Sequence, residues 1–293
     1  MRLTEVAKTA ADKLQAEKAK IQKILERYGL WPFHVDQETG EVLKNPNYKP
    51  HKNFSEIESI VINDDLTVSV NGSANFENST FKRIPVKFKK LGGAFLTSNS
   101  NLETLEGLPD EMTWVLQCGK CVGLTTLVGG PKKVVNILNF VHCTGLKNLD
   151  GIPELVKHSS NSGVVELILY GCINLTSLEG LQDHLPGTLD ISWCKGLKSL
   201  KGIPTQIGGG LSMEHLNIDS FDFLPKRING TLDVTGCKRV KNYLALMDIK
   251  GVDEIKVSDK PQLEKILNNH LGDMLNCQDE LIEAGLEEYA EVD

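Results

Sequence analysis

Apolar positions in this chain recur about every 22 residues, a period far longer than that of a helix or a strand. In Leu189-Asp190-Ile191-Ser192-Trp193-Cys194 the apolar Leu189 and Ile191 alternate with polar neighbours; Leu197, Leu200 and Ile203 follow at spacings of three before Pro204. The same wording returns from about residue 94 to residue 240. Alternation predicts a short strand with one buried and one wet face. Because the next strand starts 22 residues on, too far for a hairpin, the strands are parallel and joined by a return stroke. Units that bury their apolar faces only against their neighbours make a solenoid, and the chain holds seven to eight such coils.

The residue leaving each strand forms a ladder: Asn71, Asn99, Cys121, Cys143, Cys172, Cys194, His215 or Leu216, and Cys237. Its spacings are 28, 22, 22, 29, 22, about 21 and about 22 residues. An amide or thiol at such a turn bonds backbone carbonyls that would otherwise be buried without a partner. The two long intervals predict insertions around residues 72–85 and 154–164, in loops outside the strands. Between Leu211 and Leu216 the phase slips as if a residue were missing.

The flanks read differently, so the chain divides into an N-terminal cap (1–56), the solenoid (57–245) and a C-terminal helical cap (246–293). From Leu3 to Tyr28 apolar residues at spacings of three and four predict a helix, which either covers the first coil or meets another chain as a coiled coil. Phe33–Leu43 reads as a hairpin, 45–53 as an irregular connection, and Ile60–Ile62 and Leu66–Asn71 as strands, the second in the phase of the repeat. Pro261 opens a helix carrying Leu263, Ile266 and Leu267, and Leu281, Ile282, Leu286 and Tyr289 predict another.

The strand wording L-x-L-x-x-N/C resembles the leucine-rich repeat, in its cysteine-containing type, because the next leucine follows the ladder residue at three rather than two. Leu116–Leu127, Leu138–Pro153, Leu167–Leu181, Leu189–Pro204 and Leu232–Val240 carry it, with weaker members at Ala94–Pro109 and Leu211–Pro225. The recurring Leu-x-Ser-Leu-Glu-Gly-Leu of Leu175–Leu181 and the lead-in Ile62–Val70 are similar to leucine-rich-repeat proteins of tailed bacteriophages. The resemblance implies an α/β solenoid used as a curved binding scaffold, made inside an infected bacterium, and implies no reaction; the expected partner is a host protein and the expected place the host cytoplasm.

Composition narrows the chemistry. The 293 residues are 40% hydrophobic and 24% charged, with a net charge of −7, which argues against nucleic acid as a direct partner. The eight acidic residues of Leu271–Asp293, with no Lys or Arg, read either as a solvated helix face or as a nucleic-acid-mimicking surface that inhibits a host nuclease. No apolar run is long enough to span a membrane, and the chain opens on a polar helix rather than a signal peptide, so a location in the cytoplasm is expected. Cysteines in phase with the repeat read as buried thiols of a reducing compartment. Cys118-Gly119-Lys120-Cys121 is spaced like a metal or redox motif, yet phase puts Cys118 in the core slot of Ile191 and Val234. Gly208-Gly209-Gly210 lacks the Lys-Ser/Thr of a nucleotide loop, and neither HExxH nor GxSxG occurs. No enzyme, no catalytic residue, no metal and no cofactor is expected.

The wet positions before each ladder residue, Thr97/Ser98, Gly119/Lys120, Val141/His142, Tyr170/Gly171, Ser192/Trp193, Glu214/His215 and Thr235/Gly236, should form one continuous concave surface. Lys120, His142, Tyr170, Trp193, Glu214 and His215 are its candidate partner-binding residues, with Trp193 either an exposed anchor or lying flat on its neighbours. The other reading of the chain is a virion or assembly component that oligomerises through Leu3–Tyr28.

Overall fold

The computed structural model describes residues 2–35, 42–45, 47–48, 50, 52–157 and 165–290, with side chains from residue 9 onward except at 33–35 and 42–44. The centre of the N-terminal hairpin, Pro46, residues 158–164 of the second insertion and the last three residues lie outside that range.

The chain coils into a parallel-strand β-solenoid of about 8 turns of about 22 residues. Each full coil holds two short strands set at an angle, where the alternation in sequence predicts one. The first ladder runs through Ala74–Asn75, Phe95–Leu96, Val115–Gln117, Ile137–Asn139, Glu166–Ile168, Thr188–Asp190 and Leu211–Ser212, then into Arg227–Asp233 and Lys250–Lys256. Its register sets Leu116, Leu138, Leu167, Leu189, Leu211, Leu232 and Ile255 side by side, all buried. The second ladder precedes it around a bend in three stretches: Val68–Asn71 with Phe88–Leu91, then Glu111–Met112, Lys133–Val135 and Glu154–Val156, then His184–Leu185 and Gln206–Ile207. Its inner column is Val70, Leu91, Met112, Val134, Leu155, Leu185, Ile207 and Ile228, again buried. Two inward columns meeting at a bend close the core of a coil too short to cover itself otherwise.

Several expectations change once this register is known. Asn71 belongs to the second ladder: Val68–Asn71 pairs antiparallel with Ser59–Ile62 and parallel with Phe88–Leu91, and Asn71 Nδ2 donates to Glu58 Oε2 (2.6 Å). The interval of 72–85 is therefore no insertion, because Ala74–Asn75 is itself a strand of the first ladder. Asn99 is exposed, and pairing of Phe95 with Leu116 puts the buried Ser100 in line with Cys121. No residue is missing at 211–216: pairing of Leu211 with Leu189 and Leu232 puts Leu216 in the slot of Cys194 and Cys237. Among the described residues, the returns before Tyr243 contain no helix and are made of turns, so the helical half of the expected α/β coil is absent. The parallel strands also continue past residue 245, to Lys256.

Helix α1 (Arg2–Arg27) meets the rest of the molecule through its last turns. Leu25 is buried with Leu30, and Tyr28 stacks edge-on against Phe81 (5.4 Å), which in turn meets Phe76 (5.1 Å). Lys18 reaches Asp64 at 2.7 Å. From residue 9 to residue 20 the helix is exposed apart from half-buried Leu14 and Lys18. Phe33–Val35 and Val42–Lys44 pair antiparallel.

At the other end, α2 (Pro261–Asn269) buries Leu263, Ile266 and Leu267. It meets the last strand through a side chain acting as a surrogate strand: the Ile255 N–H donates to Asn268 Oδ1 (2.8 Å) and Asn268 Nδ2 donates to the Ile255 carbonyl (2.7 Å). Satisfying an otherwise open edge in this way removes a site for further strand pairing. Gln182 plays the same part for Leu155, at 2.7 and 3.0 Å, where the second ladder is interrupted. Helix α3 (Met274–Glu283) follows, with Cys277 and Leu281 buried and Ile282, in sequence an apolar neighbour of Leu281, 53% exposed. One apolar cluster runs from Leu25 to Ala290.

Candidate binding face at the strand exits

The site is built by the corner where each first-ladder strand ends. There the interstrand ladder does not stop: the N–H of the residue just before each thiol, or before Leu216 in the same slot, donates to a carbonyl of the next coil. Lys120 donates to Val141 (2.6 Å), His142 to Tyr170 (2.8 Å), Gly171 to Ser192 (2.9 Å), Trp193 to Glu214 (2.8 Å) and His215 to Thr235 (2.9 Å). To aim that N–H along the stack the residue adopts a left-handed backbone. Its φ is 58° at Asn99, 60° at Lys120, 55° at His142, 71° at Gly171, 61° at Trp193, 55° at His215 and 73° at Gly236. Glycine and asparagine take this conformation readily, whereas Lys, His and Trp are held there at a cost of about 1 kcal/mol or more each. The register also moves one residue of the face: Thr97 is buried and equivalent to Cys118, so the wet pair on that coil is Ser98 and Asn99.

Directly behind this row sit the thiols. Each donates to a carbonyl of the preceding coil: Cys121 to Thr97 (3.0 Å), Cys143 to Cys118 (3.0 Å), Cys172 to Phe140 (3.1 Å), Cys194 to Leu169 (3.1 Å) and Cys237 to Met213 (3.2 Å). The carbonyls of Cys118, Phe140 and Leu169 also accept a backbone N–H of their own coil, from Cys121, Cys143 and Cys172, so both of their lone pairs are used. All seven cysteines are free and buried. Burial pushes the Cys172 thiol up to about 12 and Cys237 to about 11; it raises Cys143 and Cys194 further, with the neighbouring Cys172 adding to it. Such thiols stay protonated and are poor nucleophiles. Burial likewise holds Cys118 well above the ordinary range, so the Cys118–Cys121 pair is core. Among the described residues no group of His, Cys, Asp and Glu is arranged to hold a metal ion.

The side chains of the row pack on one another. The His142 ring lies over Gly171, where a Cβ would come within 2.2 Å of its Nδ1, and meets Tyr170 edge-on at 5.2 Å. The His215 ring covers Gly236 in the same way, at 2.3 Å. Trp193 is half-buried, its ring 4.3 Å from that of His215, with Lys195 Nζ 4.8 Å from its centre. Trp193 thus leans on its neighbour and keeps one face under a cation, an arrangement worth about 0.5–1 kcal/mol when exposed. Glu214 stands beside His215; burial, followed by the charges of Asp233 and Asp190, raises its carboxyl above the usual range. Asp190 and Asp233 are themselves fixed by accepting the Ser192 and Thr235 N–H groups, both at 2.9 Å.

A column that the strand pattern did not mark lies just after the thiols. Val122 is 60% and Ile173 46% exposed, and Thr144 and Lys195 stand in the equivalent places. A hollow of about 370 Å³ joins the two columns, lined by Asn99, Asn101, Lys120, Val122, His142 and Thr144. Each of these flanking residues follows its ladder residue directly, so the ladder's phase could have found them. Lys120 and His142 therefore share a hollow, with Tyr170 against the His142 ring, while Trp193, Glu214 and His215 form a second group further along.

These features define a parallel-strand β-solenoid with a continuous row of polar and aromatic side chains at its strand exits. No protein-family model, curated protein or solved structure matches the chain. Among the described residues no helix is long and apolar enough to cross a membrane.

Proposed function

We propose that the chain is a non-enzymatic scaffold that binds a protein partner through the strand-exit row, with Lys120, His142, Tyr170, Trp193, Glu214 and His215 as the contacting residues. The observation that carries this reading is that Lys120, His142, Trp193 and His215 hold left-handed backbone where Gly171 and Gly236 show that glycine serves. Strain retained over several coils marks a selected surface. Aromatic rings with polar neighbours are also the usual anchors of protein interfaces. The leucine-rich-repeat assignment, the helices as caps, the bacteriophage origin, the host partner and the host cytoplasm belong to this proposal. The repeat assignment is supported by the L-x-L-x-x-C wording standing on successive parallel strands and the C-terminal cap by the Asn268 seal of the last one; the origin, the host partner and the location rest on the resemblance of the sequence wording alone.

The test is the double variant Lys120→Gly with Trp193→Gly, which relieves strain and removes contact together. Recovery of the partner on immobilised protein should fall by more than roughly tenfold, while the melting temperature holds or rises. A Lys201→Ala control on the return side should behave as the parent. Undiminished recovery by the double variant would remove this row from consideration.

The exposure of α1 over residues 9–20 favours a second reading, an assembly component that oligomerises through this helix. Self-association that survives in the parent chain and disappears in Leu14→Glu, measured by sedimentation, is its signature.

A further inference from the structure

Opposite the strand exits, the returns turn at Gly107, Gly129, Gly151, Gly180 and Gly202, all with positive φ. The next return breaks the series. Phe221-Asp222-Phe223-Leu224-Pro225 stands in line with Leu200-Lys201-Gly202-Ile203-Pro204, and Phe223 has φ 67°. The ring is 60% exposed. A phenylalanine is thus strained in its backbone and wet on its side chain where glycine would be neither.

Beside it opens a hollow of about 420 Å³ lined by Phe221, Leu224, Pro225, Ala245 and Ile249. Lys226, Lys250 and Asp248 complete its lining, and the exposed Arg227, next to Lys226, adds a further cation. The far wall belongs to the turn Tyr243–Asp248, and α3 packs on that turn. The outer face of α3 has the complementary character. Leu275 is 75% exposed and Ile282 53%, two helical turns apart on one face, with Asp279 between them and Glu283 alongside.

We propose that α3 of a second copy of this chain seats Leu275 and Ile282 in the hollow beside Phe223, its Asp279 and Glu283 meeting Lys226, Arg227 and Lys250. Both apolar features lack cover in the single chain, their charges are opposite, and one pairing covers both. Because donor helix and acceptor hollow adjoin through Tyr243–Asp248, a two-fold pair makes the contact twice. The surface is separate from the strand-exit row, so a dimer leaves that row open.

Sedimentation velocity of the full chain over a dilution series tests this. The parent should pass from dimer to monomer on dilution. Phe223→Gly should shift that midpoint by more than roughly tenfold while its melting temperature holds or rises, since the substitution restores the residue the other returns use. Leu275→Glu, on an exposed helix face, should shift it likewise from the other side, and carries the test alone if the Phe223 variant fails to fold. An equimolar mixture of the two should recover part of the association, because one intact contact remains possible between them. A chain monomeric throughout, a dimer indifferent to Phe223→Gly and Leu275→Glu, or one lost only in Leu14→Glu would each overturn the proposal.

Discussion

The molecule turns through left-handed backbone twice in most coils, once at the strand exit and once in the return, and the two corners are furnished differently. The return uses glycine from Gly107 to Gly202, whereas the strand exit carries Asn99, Lys120, His142, Trp193 and His215, with glycine only at 171 and 236. The dihedral differs: φ runs from 82° to 107° in these returns but only from 55° to 61° where the strand exit carries a side chain, inside the small left-handed region that other residues can enter. Space adds to this at some of the returns. In the return a Cβ at Gly151 would come within 2.6 Å of Val128 Cα and one at Gly202 within 2.5 Å of the Glu179 nitrogen, both parts of the neighbouring coil's backbone. At the strand exit the obstacle at Gly171 and Gly236 is the movable ring of a histidine. The wider φ, joined at Gly151 and Gly202 by the neighbouring coil's backbone, holds glycine in the return; at Gly129 the nearest atom is the Glu106 Cβ at 3.7 Å, so there the dihedral acts alone. The strand exit, at a smaller φ, carries side chains able to bear the strain.

That contrast is broken or sharpened most directly by placing the same methyl group on both corners. Gly202→Ala should cost about 2–4 kcal/mol, since neither the φ nor the adjacent backbone can accommodate it. Lys120→Ala keeps a Cβ already present on the same φ and should stay within about 0.5 kcal/mol of the parent, as exposed substitutions do. Urea denaturation of both measures the pair. Equal losses would mean that neither the wider φ nor contact between coils dictates the glycines.

How much of this was legible in the sequence follows the same division. The thiol ladder and Leu116, Leu138, Leu167, Leu189 and Leu232 could be read because a core column repeats one residue type at one spacing. The second ladder was not, since Met112, Val134, Leu155, Leu185 and Ile207 vary in identity along their column. Asn99 was mistaken for a ladder member because that coil is 21 residues long rather than 22, counted from Phe95 to Leu116. A shift of one residue exchanges inward and outward positions, which also misplaced Thr97. The packing of Trp193 on His215 and the rings over Gly171 and Gly236 depend on side-chain direction across coils, which spacing along one chain does not encode.

The smallest expected effect concerns the charge that the strand-exit face tolerates. Glu214 lies between Asp190 and Asp233, and burial with those two carboxylates raises its pKa against the opposing pull of His215 and Lys256. A carboxyl whose folded value lies above the unfolded value of about 4.3 binds its proton more tightly in the folded state. Its ionisation therefore subtracts from stability at neutral pH, and this penalty fades as the pH falls through the folded value toward the unfolded one. Glu214→Gln removes the charge and keeps the shape, so the variant should be more stable than the parent at pH 7. The gap should close as the pH falls and disappear once the parent is protonated in both states. Denaturation midpoints of the two proteins between about pH 4 and pH 7, the span set by these ionisations, give the sign. A glutamine variant less stable at pH 7 would mean that His215 and Lys256 more than offset the acidic neighbours. The strand-exit face would then be electrostatically satisfied, with its tolerance confined to backbone strain.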